Sequence, residues 1–86
     1  MSSVETPSPI FEEIASLFAS APTPQQILEF RPSDRTSKRA SELLELNRSG
    51  NLNKQSIAEL DQFEQAELLM RLVKARIRAD ESAKQS

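Results

Sequence analysis

The side chains available for chemistry are mainly carboxylates, hydroxyls, amines and guanidiniums, because the chain contains no histidine, cysteine, tyrosine or tryptophan. Paired carboxylates occur at Glu12–Glu13, Glu42–Glu45 and Glu64–Glu67. General acid–base catalysis needs a carboxyl group with a shifted pKa, usually one that is buried beside a charge partner. These acids instead fall on the polar faces of predicted helices, beside lysine and arginine, where a solvated ion pair is the common case. We therefore expect no catalytic residue, and we predict that the protein is not an enzyme.

The sequence does not indicate a metal or cofactor site. Metal sites need convergent histidine, cysteine or carboxylate ligands, and the chain has neither of the first two and no aspartate-rich loop. A single glycine in the whole chain argues against a glycine-rich phosphate-binding loop. A serine–lysine nucleophile is conceivable, but no motif specifies one. We expect no metal and no cofactor.

Two groups of basic residues could contact the phosphates of a nucleic acid. One group lies in and near the third predicted helix, and the other lies in the last helix at Arg71, Lys74, Arg76 and Arg78. We favour a different interpretation, in which these charges match the helix dipole and pair with acids one turn away. No aromatic residue interleaves with them, which argues against single-strand binding. Nucleic-acid binding through Arg71, Lys74 and Arg78 is kept as an alternative.

Length and charge restrict the chain to one small domain. It has 86 residues and a formal net charge of −2, so no overall field draws it to nucleic acid or to an anionic membrane. The N-terminal residues lack the features of a signal peptide, and no apolar run approaches the roughly 20 residues that span a bilayer. An N-terminal helix lying on a membrane surface is opposed by Glu12 and Glu13. We expect a cytoplasmic protein with no membrane partner.

Two short helices are predicted in the N-terminal third. Ser8 followed by Pro9 is a typical helix start, with serine as the N-cap, and apolar residues recur on one face of 9–20. The segment Thr23–Pro24–Gln25–Gln26 has proline at the first helical position and the pattern of a capping box. It predicts a second helix over about 24–30, which ends before Pro32.

Two longer helices are predicted to follow as an antiparallel hairpin. The third begins at Ser33 or Asp34 and runs over 34–49, with Gly50 placed to end it in a left-handed conformation. The fourth, over 53–79, begins with Asn53 as its N-cap and contains no glycine or proline. The link between them has the length found between antiparallel helix neighbours.

The last predicted helix has apolar residues on two sides. One stripe holds Phe63, Ala66, Met70, Val73 and Ile77, and a second, on roughly the opposite side, holds Ile57, Leu68, Leu72 and Ala75. The third helix covers only one side, and at about 24 Å it is shorter than the fourth, at about 39 Å. The remaining apolar surface must be covered by the two N-terminal helices or by a second chain.

Three segments of the chain resemble a group of small helical proteins, mainly cyanobacterial, without an assigned biochemical activity. The likeness covers about residues 24–79 and is carried by ILEFRPSD, SELLELNRSGNL and ELLMRLVKAR. Such proteins usually have Thr-x-Glu-Glu at the start of the last helix, where this chain has Asn53–Lys54–Gln55–Ser56. The resemblance implies an all-helical fold. Because such small proteins look like companions of a downstream nuclease-type gene, it also implies a toxin–antitoxin or partner-protein role.

We therefore predict an all-α protein with two short N-terminal helices and a long αα-hairpin. The helical domain is expected to span 9–80, between a disordered tail at 1–8 and a flexible C-terminus at 81–86. The predicted function is that of a non-enzymatic protein–protein interaction module, which could be the antitoxin-like or regulatory partner of another protein. The alternatives are a small nucleic-acid-binding regulator and a purely structural helical protein.

The first partner that we predict is a second copy of the chain. Two copies are expected to form a homodimer with a four-helix-bundle-like core, because one short chain leaves surplus apolar surface. The predicted self-association interface consists of Phe63, Ala66, Leu69, Met70, Leu72, Val73 and Ile77.

Overall fold

The computed structural model describes residues 8–85, with side chains as far as Lys84. Four α-helices follow one another along the chain: α1 (Pro9–Ala19), α2 (Pro24–Leu28), α3 (Asp34–Ser49) and α4 (Lys54–Gln85). No strand occurs among these residues. The all-α class and the helical hairpin, made by α3 and α4, are confirmed. The tail predicted to be disordered at 1–8 lies, except for Ser8, outside the described residues.

Side-chain caps fix the starts of α2, α3 and α4 at the predicted positions. Thr23 Oγ1 accepts the backbone N–H of Gln26 at 3.1 Å, and Gln26 Oε1 accepts the backbone N–H of Thr23 at 2.9 Å, which completes the capping box. Ser33 Oγ accepts an N–H from the first turn of α3 at 3.3 Å. Asn53 Oδ1 accepts the N–H of Ser56 at 2.8 Å. Each bond satisfies an amide that has no partner inside its helix.

Helix α1 starts at the predicted position, but without a side-chain cap. Ser8 occupies the N-cap position and Pro9 follows it, but the Ser8 side chain makes no capping hydrogen bond. The backbone alone begins the helix, since the N–H of Glu12 donates to the Ser8 carbonyl at 3.1 Å. The Ser8 hydroxyl is buried and has no hydrogen-bond partner among the described residues. The N-cap position of Ser8 is therefore confirmed, although its side chain contributes no bond to the helix start.

A glycine marks the end of α3, whereas no helix-breaking residue marks the end of α4. Gly50 ends α3 with φ = 77°, and its N–H donates to the Asn47 carbonyl while the N–H of Asn51 donates to the Leu46 carbonyl. This pair of bonds satisfies the last carbonyls of α3 and turns the chain back. By contrast, α4 continues to Gln85, beyond the predicted end and through the segment expected to be flexible, because no glycine or proline stops it.

The core lies along one face of α4. Helices α1, α2 and α3 all pack against α4. The buried apolar residues are Ile10, Ile14, Leu43, Leu60, Phe63, Ala66 and Met70. The N-terminal helices thus pack on the hairpin of their own chain. None of the described helices has an apolar stretch long enough to cross a membrane.

One carboxylate joins α1 to the start of α3. Glu13 accepts hydrogen bonds from the Ser33 backbone N–H at 2.8 Å, the Ser33 hydroxyl at 2.8 Å and the Thr36 hydroxyl at 2.6 Å. Burial raises the pKa of Glu13, but these three bonds together lower it by more, so the pKa lies below its ordinary value. A negative charge at a helix N-terminus is also favoured by the helix dipole. Glu13 therefore fixes the position of α1 on the hairpin.

A second ionic contact joins the two helices of the hairpin. Arg39 Nε donates to Glu59 Oε2 at 2.7 Å, and a terminal nitrogen of the same guanidinium donates to Glu59 Oε1 at 2.8 Å. These hydrogen bonds hold the pKa of Glu59 below its ordinary value, although burial opposes the shift. Two parallel bonds to one carboxylate fix direction as well as distance. The contact therefore sets the register of α3 against α4.

We expect Glu13→Gln to destabilise the protein by about 1 kcal/mol at neutral pH, because the amide has one acceptor oxygen where the carboxylate uses two, and it carries no charge. A pKa that is lower in the folded state than in the unfolded state contributes stability that is present above the unfolded pKa. That stability is lost as the pH falls through the folded pKa. Thermal unfolding at pH 7 and at about pH 3 should therefore differ less for Glu13→Gln than for the unmodified chain.

Glu12→Gln is the matched control, because Glu12 is the exposed neighbour on α1 and its side chain makes no hydrogen bond among the described residues. This variant should keep the stability and the acid sensitivity of the unmodified chain. Equal acid sensitivity in the Glu12 and Glu13 variants would show that the Glu13 contact contributes nothing.

We expect Gly50→Ala to lower the free energy of unfolding by about 1 kcal/mol, because a Cβ is unfavourable in the left-handed conformation. No atom lies within 4 Å of the position that the Cβ would take, so steric contact adds nothing to this value. Denaturant unfolding measures the change, with Asn51→Ala as the control at the next position. A neutral Gly50→Ala would contradict the left-handed end of α3.

Candidate protein–protein interface

Three leucines on α4 remain exposed after the helices have packed. Leu68 is 53% exposed, Leu69 43% and Leu72 59%. At about 100° per residue, Leu68 and Leu72 point away from the face that contacts α1, α2 and α3, and Leu69 lies at its border. We call Leu68, Leu69 and Leu72 the leucine patch. Exposed leucines this close together on one helix are a candidate contact site for another molecule.

The structure divides the predicted interface residues into two groups. Phe63, Ala66 and Met70 are 9%, 0% and 6% exposed in the core of their own chain, which corrects their expected place on a surface. The half-buried Val73 and Ile77 lie at its border. Leu69 and Leu72 are exposed as the prediction requires.

The prediction left Leu68 out of the interface, although it is more exposed than Leu69. Its signal was present in the sequence, because Leu68 shares the second apolar stripe of the helix with Leu72. The predicted interface draws mainly on the first stripe and takes only Leu72 from the second. The structure shows that the longer stripe faces inward, so the shorter stripe carries the exposed surface.

Charge is distributed unevenly along α4. Between Lys54 and Leu68 the charged residues are all acidic: Glu59, Asp61, Glu64 and Glu67. Between Leu68 and Ala79 they are all basic: Arg71, Lys74, Arg76 and Arg78. The leucine patch lies where the two parts meet. Two ion pairs bridge turns of the helix, Arg71 with Glu67 at 3.1 Å and Arg76 with Asp80 at 3.9 Å.

The residues proposed for nucleic-acid contact lie together at one end of a groove. Arg71, Lys74 and Arg78 of α4 line it with Arg31, and its volume is about 900 Å³. Its remaining walls are largely apolar, and Glu29, Glu64 and Glu67 also line it.

Two of these three residues are already engaged within the chain. Lys74 Nζ donates to the Phe30 carbonyl at 3.1 Å and ties α4 to the segment after α2, while Arg71 pairs with Glu67. Arg78 makes no ion pair with the described residues. The groove therefore offers less free positive charge than its sequence implies.

The titratable groups whose pKa values are shifted hold helices together. Glu13 and Glu59, whose pKa values are lowered, each join two helices, and so does Arg39, whose pKa is raised first of all by its bonds to Glu59. Within residues 8–85, no group of three or more histidine, cysteine or acidic side chains could hold a metal ion.

Comparison with protein-family models, curated proteins and solved structures found no match for the chain. The likeness to small cyanobacterial proteins therefore stays a prediction, and function has to be argued from the surface of the molecule.

We expect no retention of duplex or single-stranded nucleic acid at near-physiological salt, because Lys74 and Arg71 are engaged and acidic side chains share their groove. Fluorescence anisotropy over a salt series measures this. Binding that weakens linearly on a log–log salt plot, and whose slope decreases in Arg78→Gln, would contradict the expectation and favour the nucleic-acid alternative.

Proposed function

We propose that this protein is a non-enzymatic protein–protein interaction module that acts through the leucine patch, with a second copy of the chain as its first partner. The observation that supports the proposal is the exposure of Leu68, Leu69 and Leu72 on the same helix that forms the core. The chain uses one face of α4 to fold and leaves apolar surface on the other face.

The energetics of apolar burial favour association at this surface. Removing apolar surface from water contributes about 25 cal/mol per Å². A symmetric dimer covers the three leucines of both copies, so their burial contributes several kcal/mol. Part of this is lost to the entropy of association. Leucines bordered by arginines, such as Arg71 and Arg76, also suit an interface with an apolar centre and a polar rim.

We further propose that the module serves as the antitoxin-like or regulatory partner of another protein. The support for this step is the resemblance of residues 24–79 to small helical companion proteins, together with structural roles for the titratable groups whose pKa values are shifted. Co-purification from the native host, with mass spectrometry of the captured proteins, identifies such a partner.

We expect Leu72→Asp to convert a dimer into a monomer that keeps its helical content. Leu72 is 59% exposed, so the charge is tolerated in the single chain, but in a dimer it would be buried without a partner. Sedimentation equilibrium gives the mass, and circular dichroism checks that the fold is retained.

Phe18→Asp is the matched control, because Phe18 is a 41% exposed apolar residue on α1, a helix that packs on the face of α4 opposite the leucine patch. This variant should associate as the unmodified chain does. An unmodified chain that sediments as a single molecule at every concentration tested would refute self-association, and equal weakening by both substitutions would place the interface elsewhere.

A further inference from the structure

The position of the leucine patch along α4 constrains how two copies can pair. Helix α4 runs from Lys54 to Gln85, so its midpoint lies between Leu69 and Met70, at the centre of the patch. If a twofold axis passes at this midpoint, two antiparallel α4 helices lie side by side along their whole length, roughly 48 Å. Any other antiparallel alignment leaves helix ends without a neighbour.

We infer that two copies pair antiparallel through the outer face of α4, with Leu68 opposite Leu72 of the second copy and Arg78 beside Glu64 of the second copy. This inference rests on the proposed self-association and adds its geometry. Its partner is a second copy of this chain, because segment 59–67 of α4 carries only acidic charges and segment 71–78 only basic ones.

The apolar contacts come from a stripe with coiled-coil spacing. Leu68, Leu72, Ala75 and Ala79 follow one another at intervals of four, three and four residues. In the antiparallel arrangement, Leu68 and Leu72 meet twice by symmetry and Leu69 meets its own counterpart near the axis. All the exposed leucines of α4 are then covered in one contact.

The charged contacts come from the flank of this stripe. Glu64, Arg71 and Arg78 recur every seven residues along one flank. Antiparallel pairing brings this flank against the same flank of the second copy, so Arg78 lies beside Glu64 at both ends. The two Arg71 side chains meet at the centre, where each is already paired with Glu67 of its own chain at 3.1 Å.

Two other arrangements of the same stripe bring like charges together. A parallel pair places Arg71 beside Arg76 of the second copy twice, with no acid from the second copy to compensate. Shifting the antiparallel pair by one heptad places Arg71 beside Arg78 of the second copy and leaves the leucines opposite alanines. A shift by one heptad in the other direction brings Glu64 beside Arg71 but places the leucines opposite Gln65 and Asp61. Only the unshifted antiparallel pair therefore joins leucine to leucine and acid to base at once.

A charge exchange tests this arrangement in the full chain. Glu64→Arg and Arg78→Glu should each weaken dimerisation about tenfold at low salt, and the double variant should restore the original affinity, because the pairs are re-formed with opposite sign. The control is Glu45→Arg on α3, which should leave the dimer unchanged. A dimer that Arg78→Glu strengthens, or that the double variant does not restore, overturns the antiparallel pairing.

Disulfide trapping gives an independent test, because the chain has no cysteine of its own. Asp61→Cys and Ala79→Cys face each other across the proposed interface, whereas Asp61 lies roughly 27 Å from its own counterpart. An oxidised mixture of the two variants should yield the mixed dimer, and neither variant should cross-link alone. Cross-linking of Asp61→Cys to itself would indicate a parallel pair and overturn the inference.

The two levels of the proposal fail in different ways. If the unmodified chain is a monomer, the proposed self-association fails and the inference fails with it. If the unmodified chain is a dimer that Leu72→Asp disrupts, but the charge exchange and the disulfides give the contrary results, only the antiparallel arrangement fails.

Discussion

Burial of one face of α4 is the interaction on which the rest of the molecule depends. Helices α1, α2 and α3 have 11, 5 and 16 residues, lengths at which an isolated helix is marginal in water. All three pack against α4, and Phe63, Ala66 and Met70 form the surface that receives them. Ala66 is fully buried, and its small side chain lets neighbouring helices approach closely. The fold is therefore organised around a single helix face.

Polar contacts give this apolar arrangement a defined geometry. Glu13 ties α1 to the start of α3, Arg39 and Glu59 tie α3 to α4, and Lys74 ties α4 to the segment after α2. Apolar burial is not directional, whereas each of these hydrogen bonds requires a particular distance and angle. Together they determine how the three shorter helices are placed along α4, and they leave its outer face uncovered.

The sequence predicted local features well because local signals determine them. The predicted bounds of α3 match the structure. Residue type and spacing also predicted the caps of α2, α3 and α4 and the role of Gly50. The end of α4 was misplaced because no glycine, proline or other helix-breaking residue after Ala79 marks where the helix stops.

The candidate site was harder to predict, because periodicity reveals two apolar stripes on α4 without showing which one the rest of the chain will cover. Met70 was assigned to the surface and lies in the core, while Leu68 was left out and is exposed. The Glu13 contact joins residues 20 or more positions apart and carries no local signal. Long-range packing decides both cases.

The order of the helices along the chain has a consequence for folding during synthesis. Helices α1, α2 and α3 leave the ribosome before α4, yet the surface on which all three pack belongs to α4. Their apolar faces have no partner of their own chain until α4 emerges, so the nascent protein exposes them until then. The α3–α4 hairpin closes only a short link, whereas α1 must return across the intervening chain, so α1 is expected to dock last.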